Sequence, residues 1–151
     1  MAVYTSNSFG SLLTTALKYT LGAGIVAAVI NAILFSVIGI PTDQTVQAPD
    51  GSAQSIGISN FIMMSILPAL ISGVLFTIIA KFVPRPFLVF NIIATLIFMF
   101  MFFPPFEKVA NASFSTLVLL QVTHVVVASA VLYALNNMWG APEDTTTTAW
   151  F

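Results

Sequence analysis

The sequence predicts an all-α membrane protein: a bundle of four transmembrane helices, with a short N-terminal interfacial helix and an extracytoplasmic hairpin loop between helices 1 and 2. Of the 151 residues, 58% are hydrophobic and 6% are charged, whereas ordinary soluble domains carry roughly 25% charged residues. Charged residues are missing from four long intervals, Tyr19–Thr42, Gly51–Ala80, Pro86–Phe106 and Val109–Pro142. Each interval contains an apolar run near the roughly 20 residues that cross a bilayer. We therefore predict a single membrane domain over residues 1–151.

Four spans are placed by these apolar runs, at residues 21–40, 58–82, 87–103 and 114–136. Prolines mark three of the boundaries, because proline cannot continue a helix and restricts the residue before it. They occur at Pro41, in the segment Pro84-Arg85-Pro86 and at Pro104-Pro105. A cleaved signal peptide is not expected, since the first run is longer than a typical signal-peptide core and no small-x-small cleavage site follows it.

A short interfacial helix is predicted before the first span. Apolar side chains recur there at helical spacing, the opposite face carries hydroxyl groups and Lys18, and Ser8 stands in the N-cap position. The apolar positions are Phe9, Leu12, Leu13, Ala16 and Leu17. An amphipathic segment of this kind suits a membrane surface. The alternative is that the same residues form the start of the first span.

The longest connection, residues 41–57, is predicted to be a hairpin outside the membrane. Thr45-Val46-Gln47 and Ala53-Gln54-Ser55-Ile56 flank Pro49-Asp50-Gly51-Ser52, in which proline and glycine suit successive turn positions. An isolated hairpin is only marginally stable in water, so this one must rest on the bundle, the membrane surface or a partner. The polar tail, residues 141–151, is predicted to be disordered.

The positive charges predict the orientation of the chain. With four spans, Lys18, Lys81 and Arg85 fall on one side of the membrane, and Lys108 falls on the other. Lysine and arginine are enriched in cytoplasmic loops. We therefore expect both termini in the cytoplasm and the hairpin outside.

Composition excludes several classes of function. The formal net charge is -1 and the four positive residues form no patch, so nucleic acid is not an expected partner. The chain has no cysteine, which excludes disulfides, thiolate chemistry and iron–sulfur clusters. No nucleophile, base and orienting group occur as a set, so we predict no catalytic residues and no enzyme. One histidine with amide oxygens is also a poor ligand set for zinc or copper.

A layer of polar side chains is predicted near the middle of the spans. Polar groups are costly in hydrocarbon and usually face the protein interior or a cavity. At about 1.5 Å per residue, Asn31 of the first span and His124 of the fourth both lie roughly 15 Å from the outer boundary, so they could meet. Every span contributes a polar or small stripe. The candidate ligand-binding residues are Asn31, Ser65, Ser72, Thr95, Gln121 and His124.

The polar layer allows three interpretations. It is the packing seam of a bundle whose amides and hydroxyls bond across helices, or a mid-membrane site for a small ligand, ion or cofactor, or a surface for a partner subunit. His124 is the only histidine, and burial favours its neutral form. One histidine suffices as the axial ligand of a haem or a chlorophyll-type pigment, so that alternative stays open. A proton relay is not expected, because no carboxylate lies within the spans.

Five short features, taken in order, carry a resemblance to a known family. They are the central Asn31, the turn Pro49-Asp50-Gly51, the segment Leu67-Pro68-Ala69-Leu70, the basic turn Pro84-Arg85-Pro86 and the central His124. Together they resemble a domain-of-unknown-function family of small bacterial four-helix membrane proteins. The resemblance covers most of Leu21–Leu135, although the third span is unusually rich in Phe and Met. It implies a bacterial cytoplasmic membrane and a left-handed bundle, and it brings no known activity.

These observations favour a small non-enzymatic membrane protein, an accessory or scaffolding subunit of a membrane assembly. Its expected partners are the lipid bilayer and either further copies of the chain or a larger complex. The alternative is a bundle that binds or transports a ligand, pigment or solute through the polar layer.

Overall fold

A computed structural model describes residues 8–40, 44–47, 52–101, 109–110 and 112–140. This part of the chain forms four helices and three short strands. They are α1 (Phe9–Ile38), β1 (Thr45–Gln47), β2 (Ala53–Ser55), α2 (Ile58–Phe82), α3 (Pro86–Met101), β3 (Val109–Ala110) and α4 (Phe114–Gly140). Residues 49–51 of the predicted turn, the end of the third span at residues 102–103 and the tail at 141–151 lie outside the described residues.

Helix α1 begins and ends at the residues whose chemistry favours a helix boundary. The Ser8 hydroxyl accepts a hydrogen bond from the Ser11 backbone N–H at 3.2 Å, which confirms Ser8 as the N-cap. At the other end, Gly39 adopts a φ of 72°, in the region that favours glycine, and its N–H donates to the Phe35 carbonyl at 2.8 Å.

One unbroken helix takes the place of the predicted interfacial helix followed by a separate span. No proline or glycine interrupts the chain between Lys18 and Leu21, and the buried face runs through Leu12, Ala16 and Thr20 without a change of direction. The 30 residues correspond to about 45 Å, more than the roughly 30 Å of a hydrocarbon core. The separate interfacial helix is not confirmed, and the alternative in which the same residues form the start of the first helix agrees with the continuous α1.

Three of the helices are long and apolar enough to cross a membrane. They are Phe9–Ile38, Ile58–Phe82 and, within α4, Phe114–Met138. Helix α3 is apolar but has only 16 residues, about 24 Å of helix. The membrane character of the chain is therefore supported by the described helices, and α3 is the exception in length.

A three-stranded antiparallel sheet joins the two loops at one end of the bundle. The strand order is β2-β1-β3, so β1 is central. Thr45 pairs with Ser55 of β2 on one side and with Ala110 of β3 on the other. The strands of the predicted hairpin are confirmed, whereas β3 was not predicted because two residues carry no readable alternation. Pairing with β3 gives the hairpin the support that an isolated one lacks.

The helices pack as a bundle in which α1 contacts α2 and α4, and α3 contacts α2 and α4. Their buried apolar residues form two separate clusters. The sheet-end cluster consists of Ile56, Phe61, Val109, Leu119 and Leu120. The opposite-end cluster consists of Leu12, Ala16, Ala23, Ala69, Phe76, Ile79, Ala80, Phe90, Val131, Leu135 and Met138. Helix α3 contributes to the opposite-end cluster alone.

Helices α1 and α2 approach each other closely at two glycines. A Cβ added to Gly24 would lie 3.0 Å from the Cβ of Ala69 and 3.2 Å from the Cα of Ile66. One added to Gly73 would lie 2.5 Å from the Oγ1 of Thr20. Small residues at such positions let membrane helices approach closely, and packing then replaces the hydrophobic driving force that is missing in lipid. We call this contact the α1–α2 seam.

We expect Gly24→Ala to lower the free energy of unfolding by about 1–3 kcal/mol. The new methyl group would press on the α2 backbone at Ile66, which cannot turn aside as a flexible side chain would. Gly22→Ala is the matched control, because no atom lies within 4 Å of its added Cβ. Unfolding by SDS in mixed micelles measures both variants, and equal losses would contradict the close seam.

Candidate functional site: a polar layer between two apolar clusters

The polar layer lies between the two apolar clusters. On α1, Asn31 follows Ala23 of the opposite-end cluster and precedes Leu34, which packs against the sheet-end cluster. On α2, Ser65 lies between Phe61 and Ala69 in the same way. The side chains that occupy this level are Asn31, Ser65, Gln121, Thr123 and His124. Helix α1 runs antiparallel to α2 and α4, and all three helices therefore place polar groups between the two clusters.

A buried hydrogen bond crosses the α1–α2 seam in this layer. The Ser65 hydroxyl donates to the Phe61 carbonyl of its own helix at 2.7 Å. Since a hydroxyl has a single hydrogen, its oxygen must act as the acceptor from Asn31, whose Nδ2 lies 2.9 Å away. Asn31 is 1% exposed, so the prediction that it faces the interior is confirmed.

The other half of the Asn31 amide has no partner in the described part of the chain. The amide nitrogen faces Ser65, which leaves Oδ1 as a buried acceptor without a hydrogen bond. An unsatisfied buried group of this kind costs about 1–3 kcal/mol. Each such group in a native structure calls for an explanation, such as an ion, a water molecule or a functional role.

His124 is half-buried and bonds within its own helix. Its Nδ1 lies 2.6 Å from the Leu120 carbonyl oxygen. A carbonyl can only accept, so Nδ1 carries the proton and the Nε2 of a neutral ring is an acceptor. The sequence suggested that Asn31 and His124 could meet, but the Asn31 amide bonds to Ser65 instead. Nε2 is also the atom that would ligate a haem or chlorophyll-type pigment, which remains a prediction.

The remaining predicted site residues occupy different surroundings. Gln121 is buried on α4, one turn before Val125, and it also lines an apolar cleft of about 350 Å³ along that helix. Ser72 is half-buried on α2, whereas Thr95 is exposed on α3. The structure thus brings Asn31 and Ser65 into contact, and it does not bring Thr95 to them.

Sequence reasoning missed a set of buried hydroxyl groups and one buried amide. Each of the three hydroxyls donates to a carbonyl of its own helix, at 2.7 to 2.9 Å. They belong to Thr20, Thr77 and Thr123. Gln44, just before β1, is 2% exposed, and its Oε1 has no hydrogen bond in the described residues. The burial of the threonines could have been predicted, because they share a helix face with small residues at helical spacing. The burial of Gln44 could not, because a loop residue has no periodic pattern around it.

Metal ligands do not cluster in the described part of the chain. No group of three or more His, Cys, Asp or Glu side chains occurs there that could hold a metal ion. The layer consists instead of amides, hydroxyls and one imidazole. Its chemistry is hydrogen bonding, and Asn31 Oδ1 is a buried acceptor without a partner among the described residues.

The sequence model of a family of unknown function, DUF6069, matches residues 11–140 of this chain. The match covers all four helices apart from the first two residues of α1, so the chain belongs to this family. No curated protein and no solved structure shows significant similarity to the chain. The predicted resemblance to a family of unknown function is confirmed.

Ser65→Ala is expected to destabilise the protein by about 1–2 kcal/mol, because the Asn31 Nδ2 would lose its acceptor in a buried site. Ser36→Ala is the matched control. Ser36 makes the same bond to its own helix, to the Ala32 carbonyl at 2.8 Å, but it is exposed. We expect its effect to stay within about 0.5 kcal/mol. Unfolding titrations in mixed micelles measure both, and equal effects would argue against the hydrogen bond across the seam.

Proposed function

We propose that this member of DUF6069 is a non-enzymatic accessory or scaffolding subunit of a membrane assembly, and that it docks through the sheet-end half of α3. The observation that carries the proposal is the position of α3 in the bundle. Phe90 at its beginning belongs to the opposite-end cluster, and no α3 residue belongs to the sheet-end cluster. Helices α1, α2 and α4 contribute to both ends.

The sheet-end half of α3 presents large apolar side chains outward. Met99 is 60% exposed and Phe100 is 77% exposed. The surface that we assign to docking consists of Leu96, Ile97, Met99, Phe100 and Met101. Methionine and aromatic side chains adapt well to irregular apolar partners. This surface is also free of charge, as a contact within the bilayer requires.

The length of α3 favours a protein partner over lipid alone. Its 16 residues give about 24 Å of helix, compared with roughly 30 Å of hydrocarbon. A short apolar helix reduces such a mismatch by thinning the bilayer or by associating with other helices. A partner helix that covers Met99 and Phe100 would supply packing contacts at the end of α3 that contributes nothing to the sheet-end cluster.

The buried hydroxyl groups support a non-enzymatic role. The hydroxyls of Thr20, Ser65 and Thr77 each donate to a backbone carbonyl of their own helix. A nucleophilic hydroxyl needs an adjacent base that takes its proton. None of these three has a base as its hydrogen-bond acceptor, so none is activated.

We further propose that the protein lies in a bacterial cytoplasmic membrane with both termini in the cytoplasm and the sheet outside. Lys18, Lys81 and Arg85 are exposed at the end of the bundle away from the sheet. Lysine and arginine near span ends favour the cytoplasmic side.

Cysteine labelling tests this orientation. The natural chain has no cysteine, so a single introduced thiol has no background. We expect a membrane-impermeant maleimide to label Gln54→Cys, on exposed β2, in intact cells. Pro84→Cys, in the exposed α2–α3 connection, should react only after permeabilisation. The reverse pattern, or labelling of both variants in intact cells, would contradict the proposed orientation.

Site-specific photocrosslinking in native membranes tests the docking surface. A photoreactive residue at Met99, which is 60% exposed, should give a discrete protein adduct. Val29 on α1 is the matched control, since it is 56% exposed and points away from the bundle as well. We expect lipid adducts alone at Val29. Native mass spectrometry in mild detergent should find the same partner, and a monodisperse monomer of full stability would overturn the proposal.

A further inference from the structure

We propose that the polar layer is a binding site for a small ligand that donates hydrogen bonds, with Asn31 Oδ1 as its first acceptor. This site lies in the bundle interior and is separate from the docking surface on α3. The ligand proposal and the docking proposal are therefore tested independently of each other. The ligand class follows from which atoms of the layer already have partners and which do not.

The layer is rich in acceptors because its hydroxyl hydrogens are already used. Ser65 donates to Phe61 and Thr123 donates to Leu120, both within their own helices. Each hydroxyl oxygen keeps lone pairs that can accept. Asn31 Oδ1 is a further acceptor, and it is fully buried without a hydrogen bond in the described residues. A ligand that bonds to Asn31 Oδ1 must therefore bring an N–H or O–H group.

Access to Asn31 Oδ1 is limited by the α1–α2 seam. The amide nitrogen already faces α2 through Ser65, and Oδ1 is on the other branch of the planar amide. The seam itself has no room, since even a methyl group at Gly24 would approach Ala69 and Ile66 within 3.2 Å. Helix α4 is the other neighbour of α1. The ligand therefore lies on the α4 side of Asn31. It must be small, because an apolar cluster lies at each end of the polar layer.

His124 supplies a second acceptor at the same level of the bundle. Its Nδ1 hydrogen is donated to the Leu120 carbonyl oxygen, so Nε2 offers a lone pair in the tautomer that this bond selects. The ring is half-buried, which leaves it within reach of a ligand. A molecule with at least two donor hydrogens, such as a primary ammonium group or a primary amide, could satisfy both acceptors.

A pair of cations with the same charge but different donor capacity tests the ligand class. The full chain in phosphatidylcholine nanodiscs is titrated with methylammonium chloride, which has three N–H donors, or with tetramethylammonium chloride, which has none. Acetamide serves as a neutral donor. We expect methylammonium or acetamide, at about tenfold above half-saturation, to raise the unfolding midpoint by roughly 3 °C. No shift with either donor, or an equal shift with tetramethylammonium, overturns the proposal.

Variants of the layer locate the effect. Asn31→Leu removes the acceptor and leaves the Ser65 hydroxyl bonded to Phe61, and it should abolish the donor-dependent shift. Ser36→Ala, outside the layer, should keep the shift in full. A full shift in Asn31→Leu overturns the proposal. If Asn31→Leu does not fold, His124→Phe decides: it keeps a planar ring but has no Nε2, so a weakened shift supports the site and an unchanged shift refutes it.

Discussion

The contact between α1 and α2 along Gly24 and Gly73 sets the positions of the other parts of the bundle. In lipid the hydrophobic effect does not drive helices together, so close packing and hydrogen bonds must hold them. The seam provides both, because small residues bring the backbones together and the Asn31–Ser65 bond crosses at the same place. This hydrogen bond needs the short distance, since neither side chain is long. A bundle that opened at Gly24 would therefore also lose its buried amide–hydroxyl contact.

The seam also explains why the apolar interior is divided. Asn31 and Ser65 bond across the α1–α2 seam between the two clusters, and the polar side chains of α4 follow its sheet-end residues Leu119 and Leu120. Apolar residues are consequently restricted to the two ends. At the sheet end, Ile56 and Val109 come from the two loops, so the loops complete a cluster that three helices leave open. At the opposite end α3 completes the cluster. The rings of Phe90 and Phe76 make an edge-to-face contact there, with their centroids 5.5 Å apart. The loops that form the short sheet and the short third helix thus do the same thing at opposite ends: each completes one apolar cluster.

The sequence predicts the bounds of the helices better than it predicts the contacts between helices and loops. Charge-free intervals and prolines place α2 at the observed bounds, Ile58–Phe82, and place α3 and α4 within a few residues. They miss the start of α1, which begins at Phe9 and not at residue 21. These signals are local, since a proline ends a helix wherever the helix packs. The inward face of Asn31 is also predictable, because Gly24, Ala27 and Ala28 share it. The hydrogen-bond partner of Asn31 cannot be predicted in this way, because Ser65 and His124 are both predicted near the same depth in the membrane. The rotation of each helix about its own axis decides which of the two side chains faces Asn31. The pairing of Thr45 with Ala110 is likewise a property of the assembled loops.

The free energies of the two halves of the Asn31 amide argue against a role in packing alone. The hydrogen bond from Nδ2 to Ser65 contributes about 0.6 kcal/mol if it resembles other hydrogen bonds between membrane helices. The buried Oδ1, which has no hydrogen-bond partner among the described residues, costs about 1–3 kcal/mol. A leucine of similar shape would fill the same space without that cost, and Ser65 would keep its bond to Phe61. The arrangement of the chain alone therefore does not account for an asparagine at this position. The hydrogen-bond donor that we propose as a ligand would make both halves of the amide favourable.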